Sequence, residues 1–481
     1  MKPAKLRARF GLARIAAILA LAYGVMADAQ AAATVVIVNL NAAGEGFNDT
    51  APVAPVGGNS GVTLGQQRLI AFQRAADIWG ATLTSNVTIR VGASFMPLSC
   101  TADSAVLGSA GANDIFSDFP NAPKPGTWYP SALASRLAGS DQAAPAEPHI
   151  LARFNSRLGL FEDCMPGDGF YLGLDKQAGA RIDLIAVLLH EFAHGLGFQT
   201  FTDSQTGEQT MALPSVWDHF LVDNQNNKSW AQMTDAERMA SSISGNALSW
   251  NGANVTSAVP AALSPVSVLT ISGPAAGSAA GSYDVGDASF GPPLGRTAVV
   301  GQLMPVVDTD TALGLACTPL SEANALAVKG NVALVDRGTC TFSIKAKNVQ
   351  DAGAIGMVLA DNAPGDVTGM SGDDPSVVIP SARITQQAGV KLKEALSRRS
   401  RTASGVIASL GVNPARLAGT DAQNRIRMYT PTEYSPGSTV SHYTTDAKQN
   451  QLMEPSINGD LSHEVTAPRD LTFQLLKDIG W

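Results

Sequence analysis

Residues 190–198 read His-Glu-Phe-Ala-His-Gly-Leu-Gly-Phe and follow the run Asp183-Leu-Ile-Ala-Val-Leu-Leu189. So long an apolar stretch predicts a buried helix. On a helix, His190 and His194 are four residues apart and project from one face, while Glu191 points on a different bearing. Two imidazoles at this spacing suit a zinc ion, and the carboxylate suits proton transfer from a water that the metal activates. A catalytic zinc keeps three protein ligands and one open position, so this pair needs a third partner.

Four other histidines are available: His149, His219, His442 and His463. His442 lies in Gly437-Ser-Thr-Val-Ser-His-Tyr443, shortly before Gln451-Leu-Met-Glu-Pro455. His463 precedes Glu464 and is its main rival for the third position. His219, in Val216-Trp-Asp-His-Phe220, reads as a packed residue of an apolar helix, and His149 as the structural first residue of a strand. Glu208 stands 18 residues beyond His190, but among Ser, Gln, Thr and Gly rather than on a helix.

These motifs resemble those of leishmanolysin-like metzincins. The matching segments are His190–Phe198, Ser441-His442-Tyr443 and Leu452-Met453-Glu454-Pro455, in the same order. The order strand, helix, strands and metal-bearing helix reads as an α/β plan with one mixed sheet, and the resemblance implies an α+β zincin form of it with a twisted sheet and an active-site helix. It also implies His442 as third ligand, Met453 as a hydrophobic floor beneath the metal, and peptide hydrolysis with Glu191 as general base. The short metzincin pattern, H-E-x-x-H-x-x-G-x-x-H, is matched through Gly197 but meets Thr200 where it requires histidine. The 248-residue separation of His194 and His442 calls for an inserted domain.

Several elements must position these groups. Thr34–Leu40 reads as a strand, and Leu64–Thr82 as a helix on which Leu69, Phe72, Ala76 and Trp79 recur. Val87, Ile89 and Val91 alternate with polar residues as in a half-exposed strand. His149–Asn155 and Gly169–Gly173 are further strands, and His149–Asn155 is the expected exposed edge for a substrate strand. Gly195 and Gly197 are expected to turn the chain sharply after His194 through positive φ. Helical patterning returns over Asp446–Trp481.

From about Leu263 the composition turns to Gly, Ala, Ser and Val, and a βαβ pattern follows. Asn331–Val335 and Ile355–Ala360 read as strands around a helix at Phe342–Ala352; strand Val377–Ile379 and helix Gln386–Leu396 come next. Cys317-Thr-Pro-Leu320, Val335–Phe342, Lys345-Ala346, Gln350–Ala354 and Val378-Ile-Pro380 resemble the protease-associated domain. That resemblance implies a module for substrate gating or protein interaction. Asp361, Asp366, Asp373 and Asp374 share one loop, but their spacing does not fit an EF-hand, so calcium is unsupported and a solvated loop is expected. The resulting division is signal peptide 1–29, catalytic part 30–263, inserted domain 264–411 and catalytic part 412–481.

Composition and leader narrow the function classes. Lys2, Lys5, Arg7, Arg9 and Arg14 precede an apolar stretch, Ile15–Val25, and Ala27-Asp-Ala29 offers a cleavage site after Ala29. This is a secretory signal too short to span a membrane, and no later segment is apolar enough to do so. Cleavage removes five basic residues and Asp28, taking the net charge from −8 to about −12. With no basic segment left, nucleic acid is excluded as a partner. Cys100, Cys164, Cys317 and Cys340 allow three pairings in an oxidising compartment; Cys100–Cys164 and Cys317–Cys340 keep each pair within one domain. No cysteine precedes the catalytic part, so a cysteine switch is not expected. Protein or peptide substrates fit best. The competing reading is a secreted non-catalytic binding protein on a zincin scaffold, which Thr200 favours and Glu191 opposes. Hydrolysis of a non-peptide amide would use the same residues.

Overall fold

The computed structural model describes residues 31–307 and 313–481, so the signal-peptide reading on residues 1–29 lies outside the described residues. The first body is built on a four-stranded mixed sheet. Strand β1 (Val35–Asn39) leads to helix α1 (Leu64–Thr82), then to β2 (Ile89–Met96), β3 (Gly108–Ala112) and β4 (Ile150–Asn155). Their spatial order is β1-β2-β4-β3, with β1, β2 and β4 parallel and β3 antiparallel to β4. Strand β4 is therefore an interior strand, covered by β3. The expected edge at His149–Asn155 is corrected: the free edge on that side of the sheet belongs to β3, whose small residues give no strand pattern.

Helix α1 buries Arg68, Phe72, Ala75, Ala76 and Trp79, while Leu69 is 41% exposed. The buried stripe includes Arg68 instead of Leu69, because the Arg68 guanidinium stacks over the Phe95 ring at 4.3 Å and donates to the Gly46 carbonyl. Helix α2 (Leu184–Leu196) is buried along its whole length, as expected of a helix apolar on all sides. Asp183 caps it by accepting from the Ile185 and Ala186 N–H groups. Trp79 Nε1 donates to the Leu189 carbonyl and Trp481 Nε1 to that of Leu196, fixing the helix from two sides.

After residue 264 the chain builds a second sheet. Its strands are β5 (Pro265–Ser272), β6 (Gly281–Asp284), β7 (Gly286–Asp287), β8 (Val299–Pro305) and β9 (Val332–Asp336). Helix α3 (Phe342–Asp351), β10 (Gly356–Ala360), β11 (Ser381–Ile384), α4 (Gln386–Ala395) and β12 (Ile407–Leu417) complete it. The order is β6-β5-β12-β8-β9-β10-β11-β7, with β8 to β11 parallel. The expected strand at Val377–Ile379 is displaced to Ser381–Ile384. Val378 is 68% exposed, and its N–H donates to the Gln350 side chain instead of a ladder. The two ends of this segment pair with each other, Pro265 opposite Leu417, so the closing strand runs past residue 411.

Core composition follows the same division. One apolar cluster gathers residues from Ala33 to Leu263 and again from Leu417 to Trp481. Two others, one on each face of the second sheet, draw only on residues between Leu269 and Leu410. The final stretch returns to the first cluster, but it is helical only at α5 (Thr472–Ile479). Disulfides join Cys100 to Cys164 and Cys317 to Cys340. No helix among the described residues is long and apolar enough to cross a membrane.

Because its ends are paired and its cores are its own, the segment 265–417 should fold when expressed alone. Calorimetry should show one cooperative transition for it; a broad, non-cooperative profile would refute an independent insert.

Candidate metal centre

Helix α2 carries His190 and His194 on one face, and the chain brings His442 to them from 248 residues away. The three Nε2 atoms lie 3.2 Å from one another. Each Nδ1 faces a main-chain carbonyl: His190 that of Leu452 at 2.7 Å, His194 that of Phe198 at 2.7 Å, and His442 that of Ser438 at 2.9 Å. A carbonyl only accepts, so Nδ1 carries the proton in every ring and Nε2 carries the lone pair. Three lone pairs thus point into one space. Burial holds all three rings in the neutral form, lowering His190 to about 4, His194 to about 3 and His442 well below its usual value.

These donors fit zinc. Tetrahedral coordination at ~2.05 Å separates neighbouring nitrogens by about 3.3 Å, close to the 3.2 Å spacing of these three atoms. Among the described residues, no other group of His, Cys, Asp or Glu side chains converges to hold an ion.

Glu191 is 8% exposed on the same helix. Burial pushes its carboxyl up to about 8, against a hydrogen bond from the Ala110 main chain. The β3–β4 ladder explains why Ala110 is available. Asn155 N–H donates to the Leu107 carbonyl and Asn113 N–H to that of His149. In an antiparallel pair, alternate residues bond the neighbour. Ser109 and Gly111 therefore turn their main-chain groups towards β4, while Gly108, Ala110 and Ala112 turn theirs to the open side. The carboxylate consequently sits at a free sheet edge.

The supports of the site were mostly invisible in the sequence. Met453 is fully buried; its carbonyl accepts from Tyr443 N–H, next to His442, while the preceding carbonyl, Leu452, holds His190. Gly197 has φ +124° and ends the helix. Gly195 is different from expectation: it stays helical, and a Cβ there would meet Ile150 Cγ2 at 2.2 Å. It permits close packing of α2 on β4 and not a turn. Thr200 donates its hydroxyl to buried Asp218 at 2.7 Å, as Thr202 does, and its N–H donates to Ser441 Oγ beside His442.

The remaining candidates lie elsewhere. His463 Nε2 meets Asp183 Oδ2 at 2.8 Å, so it braces the cap of α2. An Asp immediately before the apolar run was the signal for that cap. His149 accepts from Arg90 N–H and meets Asp141. His219 ends a three-residue 3-10 turn, half-buried beside Thr127, and not an apolar helix. Glu208 is exposed. Asp361 pairs with Arg337 and Arg383; burial pushes it up, but those hydrogen bonds prevail and hold it at about 2. Asp366, Asp373 and Asp374 do not join it in a cation cluster.

Zinc analysis of purified protein should give about one ion per chain, nearly none in His442→Ala, and full content with a lowered melting temperature in His463→Ala. Metal lost only from His463→Ala would overturn this ligand set.

Residues 299–392 match the PA domain family. Over 78 residues the chain is 36% identical to the probable lipoprotein aminopeptidase LpqL of Mycobacterium tuberculosis (strain ATCC 25618 / H37Rv), covering 16% of this chain and 15% of that protein. It is 40% identical over 73 residues to vacuolar-sorting receptor 3 of Arabidopsis thaliana, covering 13% and 12%. The chain thus spans 15% or less of the length of these relatives. An aminopeptidase structure from Aneurinibacillus sp. strain AM-1 aligns at 21% identity and a TM-score of 0.24, over 32% of this chain and 31% of that one. The chain carries a PA domain.

Proposed function

We propose that this chain is an exported zinc-dependent endopeptidase of the leishmanolysin-like metzincin kind, with a PA domain inserted in its catalytic unit. One observation carries the reading: three imidazole lone pairs converge beside a buried carboxylate at a free sheet edge. His190, His194 and His442 would hold the ion, with Met453 in the turn beneath. Zinc bound there supplies a Lewis acid and brings the pKa of a water to roughly 7.

The chain's own groups do the rest. Glu191 takes the proton from the attacking water and delivers it to the leaving amine. Its surroundings suit both tasks, because burial favours the protonated carboxyl and the Ala110 N–H favours the ionised one. A nearby cation further favours ionisation. A substrate strand would pair with the outward groups of β3. Gly108 and Ala112 offer such groups on either side of Ala110, so a chain can extend both ways, as cleavage of an internal bond requires.

The leader and the two disulfides support export. The PA domain stands beside partial matches of the chain to a protein named an aminopeptidase and to one named a sorting receptor. It therefore supports a protein-contacting role for the insert and leaves the chemistry to the histidine site. Thr200 favours a non-catalytic scaffold in the sequence, yet its bond to Asp218 is an anchoring task that an active enzyme also needs.

Replacing Glu191 by Ala should lower kcat on protein substrates by about 10²–10⁴-fold or more while zinc content stays at the wild-type level. Undiminished proteolysis in that variant would refute the mechanism. A zinc-replete wild type that cleaves no protein would favour the scaffold.

A further inference from the structure

Gln199 follows Phe198, whose carbonyl holds His194, and its side chain reaches the free-edge strand β3. A Cβ built on Gly111 would meet Gln199 Oε1 at 3.3 Å and Nε2 at 3.8 Å, and nothing else within 4 Å. The carboxamide thus lies over Gly111. Its Nε2 is buried and has no hydrogen-bond partner among the described residues. A buried donor without an acceptor is unfavourable, which marks the position as one awaiting a partner.

Sheet geometry says where that partner comes from. A strand added to the open side of β3 places one side chain directly opposite Gly111 and on the same face, with cross-strand neighbours about 5 Å apart. Gly111 has no side chain to fill that space, so the incoming side chain meets the Gln199 carboxamide.

We propose that Gln199 forms a specificity subsite for the substrate residue paired with Gly111, selecting a side chain that ends in an sp² oxygen, a carboxamide or a carboxylate. Its unpaired Nε2–H₂ needs an acceptor, and neither a lysine ammonium nor an aliphatic side chain supplies one. Gln199 is a substrate-positioning residue and takes no part in proton transfer. The inference rests on the peptidase reading above.

Matched peptides differing only at one position near the scissile bond, carrying Gln, Glu, Leu or Lys, test it with the zinc-loaded full chain. Wild type should prefer the Gln or Glu peptide over the Leu peptide by roughly 3–10-fold in kcat/KM at one position. The Gln and Glu arms separate a neutral from a charged acceptor. Gln199→Leu should abolish that preference, bringing kcat/KM on the Gln and Glu peptides down to that on the Leu peptide, while its zinc content stays at the wild-type level. Gly111→Ala, which crowds the carboxamide, should weaken the preference as well. Cleavage with the wild-type preference retained in Gln199→Leu, or with no preference at any position in wild type, overturns the subsite alone. Failure to cleave any peptide overturns the peptidase reading and the subsite with it.

Discussion

Three neutral imidazoles held with their lone pairs facing one another repel unless a positive charge lies between them. That constraint organises the molecule. Each ring is locked by a main-chain carbonyl at Nδ1, so none can rotate away or present a proton to its neighbours. Burial removes the other escape, protonation, by making a charged ring unfavourable. The arrangement is strained in the absence of a cation and well matched to one.

The fold can be understood as the apparatus that maintains it. Helix α2 contributes two rings and is fixed at both ends, by Asp183 with His463 and by Trp481. The third ring comes from a loop tied to α2 through Thr200 and Ser441, and to the turn at Leu452 and Met453. The long intervening segment does not disturb this, because Pro265 and Leu417 sit side by side and hand the chain back where it left. An ion pair between Lys448 and Asp287 links the two bodies.

What the sequence disclosed followed from side-chain identity. The apolar run, the histidine spacing and the βαβ alternation each depend on which residues stand where, and the corresponding helix and strands lie close to their expected bounds. What it concealed depends on the main chain. The carbonyls of Leu452, Phe198 and Ser438 would serve with any residue type, so no letter announces them. Strand β3 is Gly-Ser-Ala-Gly-Ala, too small to show a hydrophobic period, so in the sequence its neighbour reads as the edge. Leu69 looked like core because it is apolar; Arg68 occupies that place because an aromatic ring and a carbonyl receive its guanidinium. The Asp361 loop reads as solvated in the sequence, because the two arginines that pair with Asp361 are its neighbours only in space.

X-ray absorption at the zinc edge of the metal-loaded protein addresses the central claim most directly. The account requires three imidazole nitrogens at about 2.0–2.1 Å and one further light atom. A shell containing sulfur, or one with only two imidazoles, would contradict it.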